Sequence, residues 1–290
     1  MAYCQNPYGK GKGKGAGEGE DRPRSVRAGK GGRFLEKAER TGEGIYLYCI
    51  IGTGEARNFG DIGIGGRGDA VTTADYEDIS AVISKSPETK YVLNRENLLA
   101  HQRVIERVMK EHTVLPVRFS TIADNIEGIQ GVLRKRYEEF KNLLRDMDNK
   151  IELGIKAVWK DIDAVFQEIL QEDEEIKRLR DKTAAMPPGK TYGDRINLGK
   201  MVQARLKRKK EAEADKMMDS LKAISVDTRA NQVYGDNMVL NAAFLVGMTR
   251  IKEFDEKVEG FDAAHNKRLK IKYVGPAPPF NFVNIVVEWK

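Results

Sequence analysis

Three glycines, Gly63, Gly65 and Gly68, spell G-x-G-x-x-G, the spacing at which a strand-to-helix turn brings backbone N–H groups against a pyrophosphate. That chemistry needs a strand directly before the first glycine and a helix opening after the last. The nearest apolar run ends about a dozen residues earlier, and the stretch DAVTTADYEDIS after Gly68 is more strand-like than helical. The glycines therefore read as a loop, and no Walker string or G-x-S-x-G elbow is found. His101, His112 and His265 form no zinc pattern: a helix needs ligands four apart, and the first two are eleven apart. They are expected to be packing or surface groups. Cys4 and Cys49 give neither a disulfide framework nor a metal quartet, and Cys49 falls in an apolar run, where burial leaves a thiol inert. Carboxylates are plentiful but sit among lysines on helix faces, as on a solvated surface. No convergent acid–base or nucleophile set emerges. The expectation is a protein that is not an enzyme and holds no metal or cofactor.

Charge points elsewhere. The chain has 290 residues and a net charge of +6, of which residues 1–44 carry +4 along with 11 of the 28 glycines. Bulky apolar groups are scarce there, so this segment is expected to stay disordered, a Gly/Lys/Arg-rich tail whose Lys10, Lys12 and Lys14 offer salt-sensitive contacts to RNA or an acidic surface. The basic run Arg205–Lys210 points in every direction on a helix and is balanced by Glu211, Glu213 and Asp215, so it reads as a solvated helix. At 40% hydrophobic and 32% charged the chain can bury a core. No apolar run reaches the ~18 residues of a membrane span, and no secretory signal is visible; the cytoplasm is the expected compartment.

The elements that must position any site fall into two α+β units. Ile45–Ile51 (IYLYCII) is apolar on both faces, a buried strand. Short strands are expected at Val71–Thr73, Ile79–Ile83 and Val114–Phe119, the last at an edge or irregular because Pro116 has no N–H. Asn94 caps a helix to about Glu111. From Asp124, with Glu127 completing a capping box, one continuous apolar stripe runs from Ile126 to Met147. Lys150–Lys160 then alternates strictly, a long strand with one buried face and Glu152 on the other. A charged helix to about Asp181, the Met186–Gly189 break and a second charged helix to Leu221 follow. Ile224–Ala230 and Met238–Met248 are the next strands, Thr249 caps a helix, and Arg268–Tyr273 is the last strand. The order β-α-β-β-α-β from Lys150 is the ferredoxin-like pattern with an expanded helical crossover. The expected fold is α+β: a tail (1–44), an N-terminal α+β domain (45–149) and a ferredoxin-like domain (150–275). Gly275–Pro279 is stiff and delivers the apolar, strand-like Phe280–Val287, which either completes the first domain's sheet or presents an edge to another protein; because an exposed apolar edge aggregates, residues 276–290 are expected to join the first domain.

Five stretches in order resemble the gas vesicle protein GvpF/GvpL family: IYLYCII at Ile45, HQRVIERVMKEHTVLPVRFSTIA from His101, KIELGIKAVW from Lys150, LNAAFLVGMTRIKEFDEKVEGF from Leu240 and KYVGPAPPFNFVNI from Lys272. The basic tail departs from the pattern. The resemblance implies an accessory or minor structural protein of gas vesicle assembly, in the cytoplasm and on the vesicle. It also implies contact with the apolar shell protein GvpA and other accessory proteins. The residues placed at that contact are Tyr46, Tyr48, Val117, Arg118 and Phe119 of the first domain, then Pro278, Pro279, Phe280 and Phe282 of the arm. The competing class is a nucleic-acid-binding protein using the tail and the ferredoxin-like sheet. Its central strand, however, offers only Phe244 as an aromatic, and no RNP1-like string is present.

Overall fold

Strand β1 (Gly44–Ile51) organises the first unit because it buries side chains on both faces. The computed structural model describes residues 43–87 and 90–289, so the expected tail lies outside the described residues up to Thr41 and Gly42. On one edge β1 pairs antiparallel with β4 (Ile79–Ser86), followed by β3 (Val71–Tyr76) and β2 (Asn58–Gly60). On its other edge two short strands share it, β5 (Val114–Pro116) beside Cys49–Ile51 and β6 (Ile122–Ala123) beside Ile45–Tyr46. Tyr48 is an extra residue in the β1–β4 ladder, between the Leu47↔Ile83 and Cys49↔Val82 pairs. Such a bulge reverses the alternation. Tyr46, Tyr48, Cys49 and Ile51 accordingly all face the core under helix α1 (Arg95–Met109), while Leu47 and Ile50 face helices α2 (Ile126–Lys135) and α3 (Tyr137–Met147).

The local signals hold with specific corrections. Asn94 caps α1 by accepting from Asn97 N–H at 2.8 Å, and His112 lies beyond the helix end. The cap of α2 is Asn125, accepting from Gly128 N–H at 2.9 Å, not Asp124. The expected single helix is broken at Arg136, whose backbone (φ −112°, ψ 21°) leaves the helical region. Ile129, Leu133, Phe140 and Leu144 still make one buried stripe.

The second unit is a four-stranded antiparallel sheet in the order β10 (Leu269–Ala277), β7 (Lys150–Trp159), β9 (Met238–Gly247), β8 (Asp227–Ala230). One face carries helices α4 (Ile162–Glu172), α5 (Glu174–Ala184), α6 (Tyr192–Lys222) and α7 (Ile251–His265) over a core that includes Leu153, Ile155, Phe244 and Phe254. The crossover has three helices rather than two, because Asp173 interrupts the first: its carboxylate accepts from the N–H groups of Glu175 and Ile176 and starts α5. Thr249 does not cap α7; it lies in a 3-10 turn, Met248–Arg250, ahead of it. A polar knot ties this unit together. The Arg268 guanidinium pairs bidentately with Glu168 at 2.6 and 3.0 Å and donates to Glu213 at 2.8 Å, and the Trp159 indole donates to the other Glu213 oxygen at 2.6 Å.

The arm takes a different form from the expected strand. β10 runs on through Ala277, and Phe280–Phe282 is a turn closed by Phe282 and Val283 N–H groups donating to the Pro279 carbonyl. Beyond it, among the described residues, only Ile285 bridges, in parallel with Val117. The apolar groups still go inward: Val283 and Ile285 join the core beside α2 and α3, with Val287 and Trp289 packed against it. Arg136, at the helix break, donates to the Val286 carbonyl at 2.9 Å. An extended segment with single bonds to the body satisfies its backbone without completing a ladder.

Candidate partner-binding groove

Where the arm crosses between the two sheets it leaves a groove of about 370 Å³. Its floor is Val117 and Ile285. One wall is the α1 strip bearing Leu98, His101 and Gln102, and the other is β7 and β10 at Glu152, Val274 and Ala277. Phe119 and Phe280 form the lips. The lining is mainly apolar, and Arg118 stands at its mouth.

Sequence-predicted residues divide in a simple way. Val117, Arg118, Phe119 and Phe280, from segments about 160 residues apart, are brought together on this one groove. Arg118 is exposed, Phe119 half-buried and Phe280 38% exposed, so a partner can reach all three. Tyr46 and Tyr48 are 0% exposed; they stand behind the wall and present no surface. Pro278 and Pro279 are buried at the base of the arm. Phe282 lies away from the groove, with the Arg229 guanidinium 5.9 Å from its ring centre.

The buried tyrosines fix the groove's shape. Tyr46 Oη accepts from Ser120 N–H at 2.9 Å and lies 3.0 Å from His101 Nδ1. Ser120 has φ +63°, so this bond anchors a left-handed turn just after Phe119. Tyr48 Oη accepts from Ile64 N–H at 2.7 Å and bonds Ser84 Oγ at 2.9 Å, tying the glycine loop to the same core. Burial pushes the Tyr46 phenol far up and the Tyr48 phenol to about 12, so both remain neutral donors. Burial lowers His101 from 6.5 to about 4, against an opposing hydrogen bond to the Val117 backbone. The ring is therefore neutral at pH 7 and packs edge-on against Phe119, centroids 5.8 Å apart. Cys49 is fully buried and its thiol is pushed far up by burial, which removes it as a nucleophile.

Among the groove residues that were not singled out from sequence are His101 as a wall, Glu152 and Asn281. Glu152 sits on the β7 face opposite the helices yet is only 5% exposed. Its carboxylate accepts from Asn281 N–H at 2.7 Å and from Asn281 Nδ2 at 2.5 Å. Burial raises its pKa, and the two Asn281 bonds oppose that rise. This bidentate clamp pins the Phe280–Phe282 turn to the second sheet. Its partners are 129 positions apart, so no local pattern announces it. Among the described residues, no group of three or more His, Cys, Asp or Glu is placed to hold a metal ion, and no helix is long and apolar enough to cross a membrane. Phe244, the aromatic of the central strand, is 0% exposed against Phe254 and offers no face for a base.

Two sheets, helices on both faces of the first, and an arm folded back to make an apolar groove define an α+β protein of two packed units. The model for gas vesicle synthesis protein GvpL/GvpF matches residues 44–284, and the chain belongs to that family. It is 30% identical over 221 residues to gas vesicle protein F of Streptomyces sp. (strain CB03234), covering 76% of this chain and 91% of that one. It is 26% identical over 246 residues to gas vesicle protein F1 of Halobacterium salinarum, covering 84% and 94%. The crystal structure of GvpF from Anabaena sp. PCC7120 shares the fold with a TM-score of 0.73 at 24% identity, covering 85% of this chain and 100% of that one.

Proposed function

We propose that this gas vesicle family member is an assembly factor that holds the apolar shell protein GvpA, and with it other accessory proteins, through surface complementarity at the arm groove. The observation that carries this reading is the convergence of Val117, Arg118, Phe119 and Phe280 on one accessible, mainly apolar groove. A shell subunit is apolar and aggregates before assembly. A partner that covers one of its strands or helices keeps it soluble and delivers it to a growing edge. Each Leu- or Ile-sized anchor seated in the groove contributes about 1.5–3 kcal/mol. Two anchors and a flanking contact suit a grip that releases its cargo. Arg118 fixes orientation by pairing a carbonyl or carboxylate at the mouth. The reading includes a ferredoxin-like second unit, supported by its strand order β10-β7-β9-β8, in which that unit's last and first strands are neighbours and helices fill both crossovers.

Co-expression tests it. With the wild-type chain, GvpA stays in the soluble fraction and co-purifies. With Phe119→Asp and Phe280→Asp together, which place two carboxylates on the lips, GvpA returns to the pellet while the variant stays folded. Unchanged capture would refute the groove; normal flotation of cells lacking the protein would refute the assembly role.

A further inference from the structure

A second concave surface lies on the adjoining strip of α1, beyond the arm groove. It is a basin of about 950 Å³ between the glycine loop and the N-terminal half of the helix. Its charge is lopsided. Lys90, Arg95 and Arg103 line it, all exposed, and Glu96 is the one acid among the described lining residues. None of the three cations enters an ion pair or hydrogen bond among the described residues, whereas the nearby Arg67 is tied to Asp69 and Glu43. Apolar groups line it beside them: Val92 is 73% exposed and Ile62 is 39% exposed.

The glycines explain why the basin is open. Gly65 has φ +99°, and a Cβ there would meet Tyr91 Oη at 2.8 Å; Gly66 has φ +72° and only open space around it. The G-x-G-x-x-G loop thus forms a floor with no side chains standing in the cavity. Arg95, Leu99 and Arg103 recur every four residues, so they form one strip of α1 with the two guanidinium-bearing positions about 12 Å apart along the axis.

We propose that this basin docks an acidic amphipathic helix of a partner protein. Carboxylates about two turns apart would meet Arg95 and Arg103, and the partner's apolar stripe would cover Leu99, Val92 and Ile62. Charge complementarity selects this occupant. The chain's own residues 1–44 carry a net charge of +4, the same sign as the basin, and so do not supply its complement. A single-stranded nucleic acid would use aromatic faces for stacking, and Tyr91, the aromatic of the basin, is only 6% exposed. The surface is distinct from the arm groove, so the protein can hold an apolar cargo and an acidic partner on neighbouring strips of one helix.

The test uses the full chain and a fluorescein-labelled helical peptide about five turns long, with leucines on one face and two glutamates about two turns apart beside them. Fluorescence anisotropy should show binding that weakens with salt and falls at least about tenfold in Arg95→Glu/Arg103→Glu. Val92→Ser, which alters no charge, should weaken it several-fold, and a peptide with lysines for the glutamates should not bind. Amide exchange should slow on the peptide-bound α1. Equal affinity for wild type and the double variant would overturn the proposal. So would tighter binding of a mixed-sequence RNA oligonucleotide that the same double substitution abolishes. GvpA capture at the arm groove should survive the double substitution, which separates failure here from failure there.

Discussion

Replacing His101 with phenylalanine should flatten the acid limb of the first unit's stability. His101 is 4% exposed and its folded pKa is about 4, against 6.5 for a free histidine. The folded state disfavours the proton, so the unfolded chain binds more protons between those values and stability falls as pH drops through that window. The whole gap is worth about 3 kcal/mol at about 1.36 kcal/mol per unit. From pH 7.5 to pH 5, most of the window, the loss is about 2 kcal/mol. At pH 7.5 the variant itself loses about 1–3 kcal/mol, because Tyr46 Oη and the Val117 backbone lose the ring's nitrogens. Its further loss on acidification should be smaller than the wild type's by that 2 kcal/mol. The chain has two tryptophans, and Trp289 packs on the first unit's core while Trp159 is in the second. In a Trp159→Phe background, urea unfolding followed by Trp289 fluorescence at both pH values therefore reads this unit. Identical pH slopes with and without His101 would refute the reasoning about the groove wall.

Other residues give independent checks. Asn281→Ala removes one of two donors to the buried Glu152 carboxylate and should cost about 1–3 kcal/mol at neutral pH. Because the raised pKa of Glu152 makes its contribution decline as pH rises through that value, the deficit should shrink in acid, as urea unfolding at the two extremes would show. Glu213→Ala strands both the Trp159 indole N–H and the Arg268 Nε, so the second unit should lose about 1.5–3 kcal/mol and Trp159 emission should shift. Gly65→Ala places a methyl group 2.8 Å from Tyr91 Oη at φ +99° and should destabilise by about 1–3 kcal/mol, measurable as a lower Tm, whereas Gly66→Ala should cost less.

Period and composition made the central strands legible. IYLYCII and the strict alternation of Lys150–Trp159 lead directly to β1 and β7, because burial on two faces or one leaves a direct mark on the residues. Interruptions were less legible. Arg136 breaks a continuous apolar stripe without proline or glycine, and its reason is tertiary: the guanidinium reaches the Val286 carbonyl. Asp173 splits the crossover because an aspartate that accepts from N–H groups ahead of it is a better cap than an interior residue, a signal hidden in a run of acids. The site was half visible. Val117, Phe119 and Phe280 were placed at the contact through their strand and arm and line the groove, whereas Tyr46 and Tyr48, placed there too from a strand read as buried, pack behind it. Alternation put Glu152 on the face opposite the helices but left its cover by Asn281 unseen, since the period of a strand says which face a residue occupies and not what covers that face.

The most direct measurement is a photo-crosslink from the lip of the groove. A benzophenone side chain at position 280, activated in vesicle-forming cells, should join the chain to GvpA, and the same group at Lys252, whose side chain is 90% exposed on α7, should not. A shell-protein crosslink at Lys252 with none at Phe280 would contradict the account.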